Sequence, residues 1–263
     1  MNTIAVDSIE SELTLLVSSD DPDLMLSKIG DMVSIDDYIL GPVGSFLISD
    51  YYFDTPKGEL SRQKWALRVR REGEHVWITI KGPSRESDGG ILERTEMELP
   101  WSPKAFATLS SLPVTQSLSV SPFQKIETQG DALETFINAG LIVIQKRETR
   151  RVIKHIRHMM KNQVIAELAL DRVIYHIDGK ALRHYEIEIE SKGKEAASVL
   201  QHIAEYLLRL YPDELRKWPH TKFATGRAIQ ALLNEESFEN TLGLNDLKSE
   251  SYGLIEKHLA EDV

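Results

Sequence analysis

Period-two alternation recurs along this chain, and it limits what the chain can fold into. In residues 67–83, "LRVRREGEHVWITIKGP", apolar residues alternate with basic or polar ones on both sides of Gly73. Leu67 and Val69 would point one way, and Arg68 and Arg70 the other. After the turn, Val76, Ile78 and Ile80 share a face, and Trp77, Thr79 and Lys81 share the opposite one. Successive side chains of a strand face opposite sides, so this reads as a hairpin with two unlike faces. The same pattern predicts strands at 9–17, at 43–53, in "GGILERTEMELP" closed by Pro100, and near 141–155, 163–175 and 183–191.

Helical spacing fills the gaps. "DPDLMLSKIGDMV" has Asp21 or Asp23 as its start signal and Pro22 in its first turn. "SPKAFATLSSL" reads as a short helix capped by Ser102, and "DALETFINAGL" as one ending at Gly140. "KEAASVLQHIAEYLLRLYP" is strongly amphipathic and stops at Pro212; "TKFATGRAIQALLNEE" follows, then a peripheral helical tail. Residues 110–130 are rich in Ser, Pro, Thr and Gln and read as a linker-like insertion. Many antiparallel-looking strands, with helices grouped between them and at the end, predict an α+β protein with a curled sheet or barrel. The expected layout is one domain over 1–233 and a C-terminal helical extension over 234–263.

The chain carries a formal net charge of -10, unlike the basic balance of duplex nucleic-acid binders. Its basic clusters are therefore local features. There are no cysteines, which excludes disulfides and thiolate metal sites. No apolar run approaches the roughly 20 residues of a membrane span, and "MNTIAVDSIESEL" lacks the layout of a signal peptide. A cytoplasmic protein without membrane or duplex nucleic-acid partners is expected.

Charge of both signs recurs on one face of many strands. Glu10, Glu12 and Thr14 share a face, as do Arg94, Glu96 and Glu98; Arg147, Thr149 and Arg151; and Glu186, Glu188 and Glu190. Alternating charge on an antiparallel sheet usually marks a solvated face. Here acids and bases segregate by strand, and most of the bases are arginines, which suit bidentate phosphate contacts. Helices covering the apolar faces would leave the charged faces to line an interior. Clustered carboxylates call for a hard divalent cation, and clustered guanidinium groups for an anion rich in oxygens. A polyphosphate bridged to a metal satisfies both. "GPVGSF" lacks the Gly-Lys-Ser/Thr ending of a phosphate loop, so side chains must hold the phosphate. Trp65, Trp77 and Tyr52 read as core or rim aromatics, His155 and His158 as surface residues, and Asp54 as a turn former.

In order along the chain, "IESELTL", "YYFDT", "ALRVRR", "ITIKGP", "ERTEMEL", "KRETRR", "ELALD", "YEIEIE" and "HTKFATG" resemble the CYTH superfamily, the triphosphate tunnel metalloenzymes. The resemblance spans roughly residues 9–230. It implies a closed antiparallel β-barrel of about eight strands, open as a tunnel with helices packed outside, that binds triphosphate with Mg2+ or Mn2+. It implies that Arg68, Arg70, Lys81, Arg94, Arg147 and Lys222 grip phosphate. Glu10, Glu12, Glu186 and Glu188 would hold the metal, and Glu10, Glu12, Asp171 and Glu188 would serve catalysis. The implied activity is hydrolysis of the terminal phosphate of an inorganic or organic triphosphate. The alternatives are an adenylate cyclase-type lyase and a non-catalytic polyphosphate or nucleotide binder. The family's opening motif is Glu-x-Glu-x-Lys, and "ESELT" puts Thr14 at the lysine position. Threonine donates a hydrogen bond but carries no charge, so slow turnover is expected.

Overall fold

The computed structural model describes residues 8–87, 89–119, 130–160, 163–193 and 197–261. The elements begin with β1 (Ser8–Val17), α1 (Pro22–Gly30), β2 (Ser34–Ile35), β3 (Tyr38–Asp54), α2 (Glu59–Arg62), β4 (Ala66–Glu72), β5 (His75–Lys81) and β6 (Arg85–Ser87). They continue with β7 (Ile91–Pro100), α3 (Pro103–Ser110), α4 (Pro113–Gln116), α5 (Ala132–Asn138), β8 (Ile142–His158), β9 (Val164–Ile177) and β10 (Lys180–Ser191). The chain closes with α6 (Ala197–Leu210), β11 (Leu215–Lys217), α7 (Lys222–Leu232), α8 (Glu236–Glu239) and α9 (Ser249–Glu261).

The strands form an eleven-stranded antiparallel sheet in the hydrogen-bonded order β11-β1-β10-β9-β8-β3-β4-β5-β7-β6. β2 pairs with β3, and β1 has an additional pairing with β7. The α+β class is the expected one. The strand count exceeds the expected eight because β2, β6 and β11, of two or three residues each, are too short to show alternation.

The described chain forms two compact units, neither of them continuous in sequence. The first comprises Ile48–Arg85 and Arg94–Arg147 with the described residues before Glu10. In it β4 and β5 form the anticipated hairpin, with Gly73 at a φ of 56° in the turn. Leu67, Val69, Ile78 and Ile80 pack with Phe53, Met97, Phe106 and Phe136. Ser102 caps α3 by accepting from the Ala105 amide at 3.1 Å. The linker-like stretch is structured over its first part. Val114 of α4 and Leu118 join the core, and 120–129 lie outside the described residues. Asp54 organises the turn after β3, accepting from the amides of Thr55, Leu60 and Ser61.

The second unit comprises Glu10–Leu47, Glu86–Glu93 and Glu148–Val263. β9 and β10 are longer than the alternation suggested. They meet in a tight hairpin at Asp178 and Gly179, both at positive φ, which suits a two-residue turn. β1 pairs with β10 in a register that sets Glu12 opposite Glu190, Thr14 opposite Glu188 and Leu16 opposite Glu186. Asp21 is the cap of α1, accepting from the Leu24 amide at 3.0 Å. The tail is not peripheral: Phe238, Leu247, Tyr252 and Ile255 are buried with Val173, Tyr175, Trp218 and Ile229. Its apolar residues are too sparse to show a helical stripe, so its burial was not evident from spacing. No described helix is long and apolar enough to cross a membrane.

Candidate functional site

The first unit gathers its arginines around one carboxylate. Asp50 of β3 is fully buried. Register sets it opposite Arg70 of β4, which donates to it through Nε at 2.8 Å and Nη2 at 3.1 Å. Arg147 of β8 donates through Nη2 to Asp50 Oδ2 at 2.6 Å, and Arg68 Nε stands 3.7 Å from Oδ1. Burial alone would raise the Asp50 carboxyl; Arg70, Arg68 and Arg147 outweigh it and hold the group well below the ordinary carboxylate range. Tyr52, two residues along the same face, accepts from Arg147 Nη2 at 2.8 Å, and its ring lies beneath that guanidinium. Arg68 also donates to Thr79 and to Glu98, both at 3.1 Å. Lys81 pairs with Glu96 across the β5–β7 ladder at 3.1 Å, and Arg94 is half-buried on β7.

The basic face of the opening hairpin is thus not its wet side. Arg68 is 6% exposed and Arg70 and Lys81 are half-buried, while the apolar face is covered by helices. Guanidinium groups packed this tightly repel one another, and carboxylates offset this: Asp50 lies among all three, and Glu98 pairs with Arg68 at 3.1 Å.

The second unit gathers the acids. Asp171 of β9 sits opposite Glu186 of β10, and Glu188 is two residues further on. Each offers an oxygen within 4.8 Å of the other two. Lys222, the first residue of α7, places Nζ 2.9 Å from Asp171 and 2.5 Å from Glu188, and in contact with Glu186. Burial alone would lower the Lys222 ammonium, but Asp171, Glu186 and Glu188 hold it above the ordinary lysine range. Arg151 of β8 donates to both Asp171 oxygens at 2.8 and 2.6 Å and also to Glu188.

Three convergent carboxylate oxygens are a donor set that can take a hard divalent cation, and here the Lys222 ammonium and the Arg151 guanidinium neutralise part of their charge. The resemblance implied Glu10, Glu12, Glu186 and Glu188 for the metal. Among the described residues the acids brought together include Asp171, whereas Glu12 opposes Glu190 on β10. Glu10 is half-buried on β1, and burial, with lesser help from the charges of Glu10 and Glu167, pushes the Glu190 carboxyl up against the pull of Lys192. Lys222, read as a phosphate grip, here contacts carboxylates.

Asp50 was not anticipated. The available signal was a lone acid between Ile48 and Tyr52 on a strand face, with two arginines on the next strand. His184, buried beside Glu186, gave no signal, because nothing in "LRHYEIEIE" shows what it touches.

Residues 10–221 match the model of a family described as CYTH domain. No curated protein matches the chain. Among solved structures, one from Hippeastrum is provisionally called an adenylyl cyclase, HpAC1, and said to reveal a dominant triphosphatase activity. It is 18% identical, with a TM-score of 0.55 over 83% of this chain and 95% of that one. A protein from Bacillus halodurans, provisionally called an adenylate cyclase, is 20% identical, with a TM-score of 0.48 over 82% of this chain and 96% of that one. PH1819 from Pyrococcus horikoshii is 17% identical, with a TM-score of 0.48 over 86% and 99%. At 18% identity the likeness to the Hippeastrum structure concerns the fold.

Proposed function

The chain belongs to the CYTH family, and we propose that it is a metal-dependent triphosphatase that hydrolyses the terminal phosphate of an inorganic or organic triphosphate. The observation that carries this reading is the buried arginine cluster. Arg70 and Arg147 donate to Asp50, and Arg68 stands 3.7 Å from it while donating to Glu98, in a chain whose net charge is -10. Arginines held this way by side chains on rigid strands suit the oxygens of a phosphate chain. In this reading they grip phosphate together with Lys81, Arg94 and Lys222.

Asp171, Glu186 and Glu188 would hold the cation, with Glu10 and Glu12 further along the same acidic face. Bound Mg2+ or Mn2+ would polarise a phosphoryl oxygen and stabilise charge on the transferred group. Glu10, Glu12, Asp171 and Glu188 are the acids proposed to orient or deprotonate the attacking water. Thr14 supplies no charge, so turnover is slow in this reading.

Two measurements test it. Inorganic triphosphate should raise the melting temperature by stabilising the folded state, and more so with Mg2+ or Mn2+. In the Arg68→Ala/Arg70→Ala protein this shift should vanish; an unchanged shift would show that these arginines are not the grip. Inorganic triphosphate, thiamine triphosphate and ATP should then be assayed with either metal. Release of phosphate supports the triphosphatase. A cyclic nucleotide with pyrophosphate would make it a lyase, and a binding shift without any product would make it a binder.

A further inference from the structure

Tyr252 lies on α9, beyond the residues 10–221 that the family model covers. Its hydroxyl is 3.1 Å from Nδ1 of His184, and the opposite ring nitrogen, Nε2, is 2.7 Å from Glu186 Oε2. His184 and Glu186 are fully buried and Tyr252 is nearly so. The other Glu186 oxygen contacts Lys222. The phenol can donate to Nδ1, and in that tautomer the ring N–H at Nε2 donates to the carboxylate. A chain of hydrogen bonds thus runs from the C-terminal helix to one member of the acidic trio.

The surroundings hold this chain in one arrangement. The His184 ring sits among Tyr175, Trp218 and Tyr252, with ring centroids 5.6 to 6.4 Å away. Tyr175 donates to the Lys222 carbonyl at 2.8 Å, and the Trp218 indole N–H donates to Thr225 of α7 at 3.1 Å. The same aromatic box therefore fixes His184 and the start of α7. Ser251, next to Tyr252, donates to the Thr241 carbonyl at 2.9 Å, and Glu256 accepts from Arg216 at 2.6 Å, which anchor α9.

We propose that α9 presets the acidic trio for a divalent cation, with Tyr252 and His184 as positioning residues that fix the orientation of Glu186. This rests on the reading above that the trio takes the metal. Ligating carboxylates depend on outer partners of this kind, whose loss costs about 10- to 100-fold in metal affinity. A buried polar pair that serves only packing would change stability and leave metal affinity alone.

The test is calorimetric titration of the full chain with Mn2+, without substrate, alongside denaturant unfolding. Tyr252→Phe, which removes one oxygen, and His184→Leu should each weaken Mn2+ binding about 10-fold or more. His184→Gln, whose side-chain amide N–H replaces the Nε2 donor, should recover part of what His184→Leu loses. If His184→Leu fails to fold, Tyr252→Phe decides alone. Wild-type affinity in a folded Tyr252→Phe protein overturns the proposal and leaves the metal reading intact. If the wild type binds no Mn2+, or binds it equally after Glu188→Gln, the trio is not the metal site and the proposal falls with that reading.

Discussion

Asp50 places one carboxylate among three arginines in a buried setting. Removing one partner of such a group is costly because the remaining charges stay buried and uncompensated. Asp50→Asn should cost about 3 kcal/mol at neutral pH, read by denaturant unfolding. Its folded carboxyl lies well below its ordinary value of 3.8. The stabilisation is therefore complete above about pH 3.8 and is lost as the pH falls through the lower folded value. The gap between wild type and Asp50→Asn should narrow at pH 2; a gap independent of pH would remove the charge from the explanation. Thr14 is the second telling residue. It is buried opposite Glu188, where Arg151 and Lys222 already bring cations. Interactions stronger in the transition state than in the ground state raise the rate. Thr14→Lys should raise turnover of inorganic triphosphate about 100-fold, by analogy with a restored oxyanion donor, and leave KM little changed. A neutral or harmful Thr14→Lys in steady-state kinetics would assign that place to Arg151.

At the scale of elements, α7 presents a conflict. Its first residue is Lys222, and a cation at a helix N-terminus opposes the helix dipole. The three carboxylates around Nζ offset this, and Thr221 holds the helix start by accepting from the Ala224 amide at 3.1 Å. Thr221→Ala should cost about 1 kcal/mol as a lost cap. It should also loosen Lys222, so the Mg2+-dependent part of the triphosphate melting shift should change as well. A stability loss with that part unaltered would mean the cap serves the helix alone.

At the scale of the whole molecule, the second unit depends on its C-terminal segment. Phe238, Tyr252 and Ile255 are each at most 3% exposed within one cluster. Full burial of such side chains contributes about 1.5–3 kcal/mol apiece, a sum comparable with a domain's net stability of about 5–15 kcal/mol. A chain ending at Leu233 should therefore melt far below the full chain or fail to fold, by circular dichroism. An unchanged melting temperature would make residues 234–263 a dispensable appendage.

The sequence by itself determined which residues share strand faces. "ALRVRR" and "YEIEIE" show their two faces through a period of two, because alternation is a local property of extended backbone. It also determined several helix starts, since Asp21 and Ser102 cap from within the same turn. Together with nine ordered segments this was enough for the fold class and the family. Only the tertiary structure decided which charge meets which. Asp50 reaches Arg147 across 97 positions, Lys222 reaches Asp171 from a helix, and His184 meets Tyr252 across 68. Periodicity names a face but not the strand or helix that will lie against it. That choice is made by register and packing, which depend on residues far apart in the chain. The same reason hid the burial of the C-terminal segment, whose apolar residues show their purpose only against Trp218 and Val173.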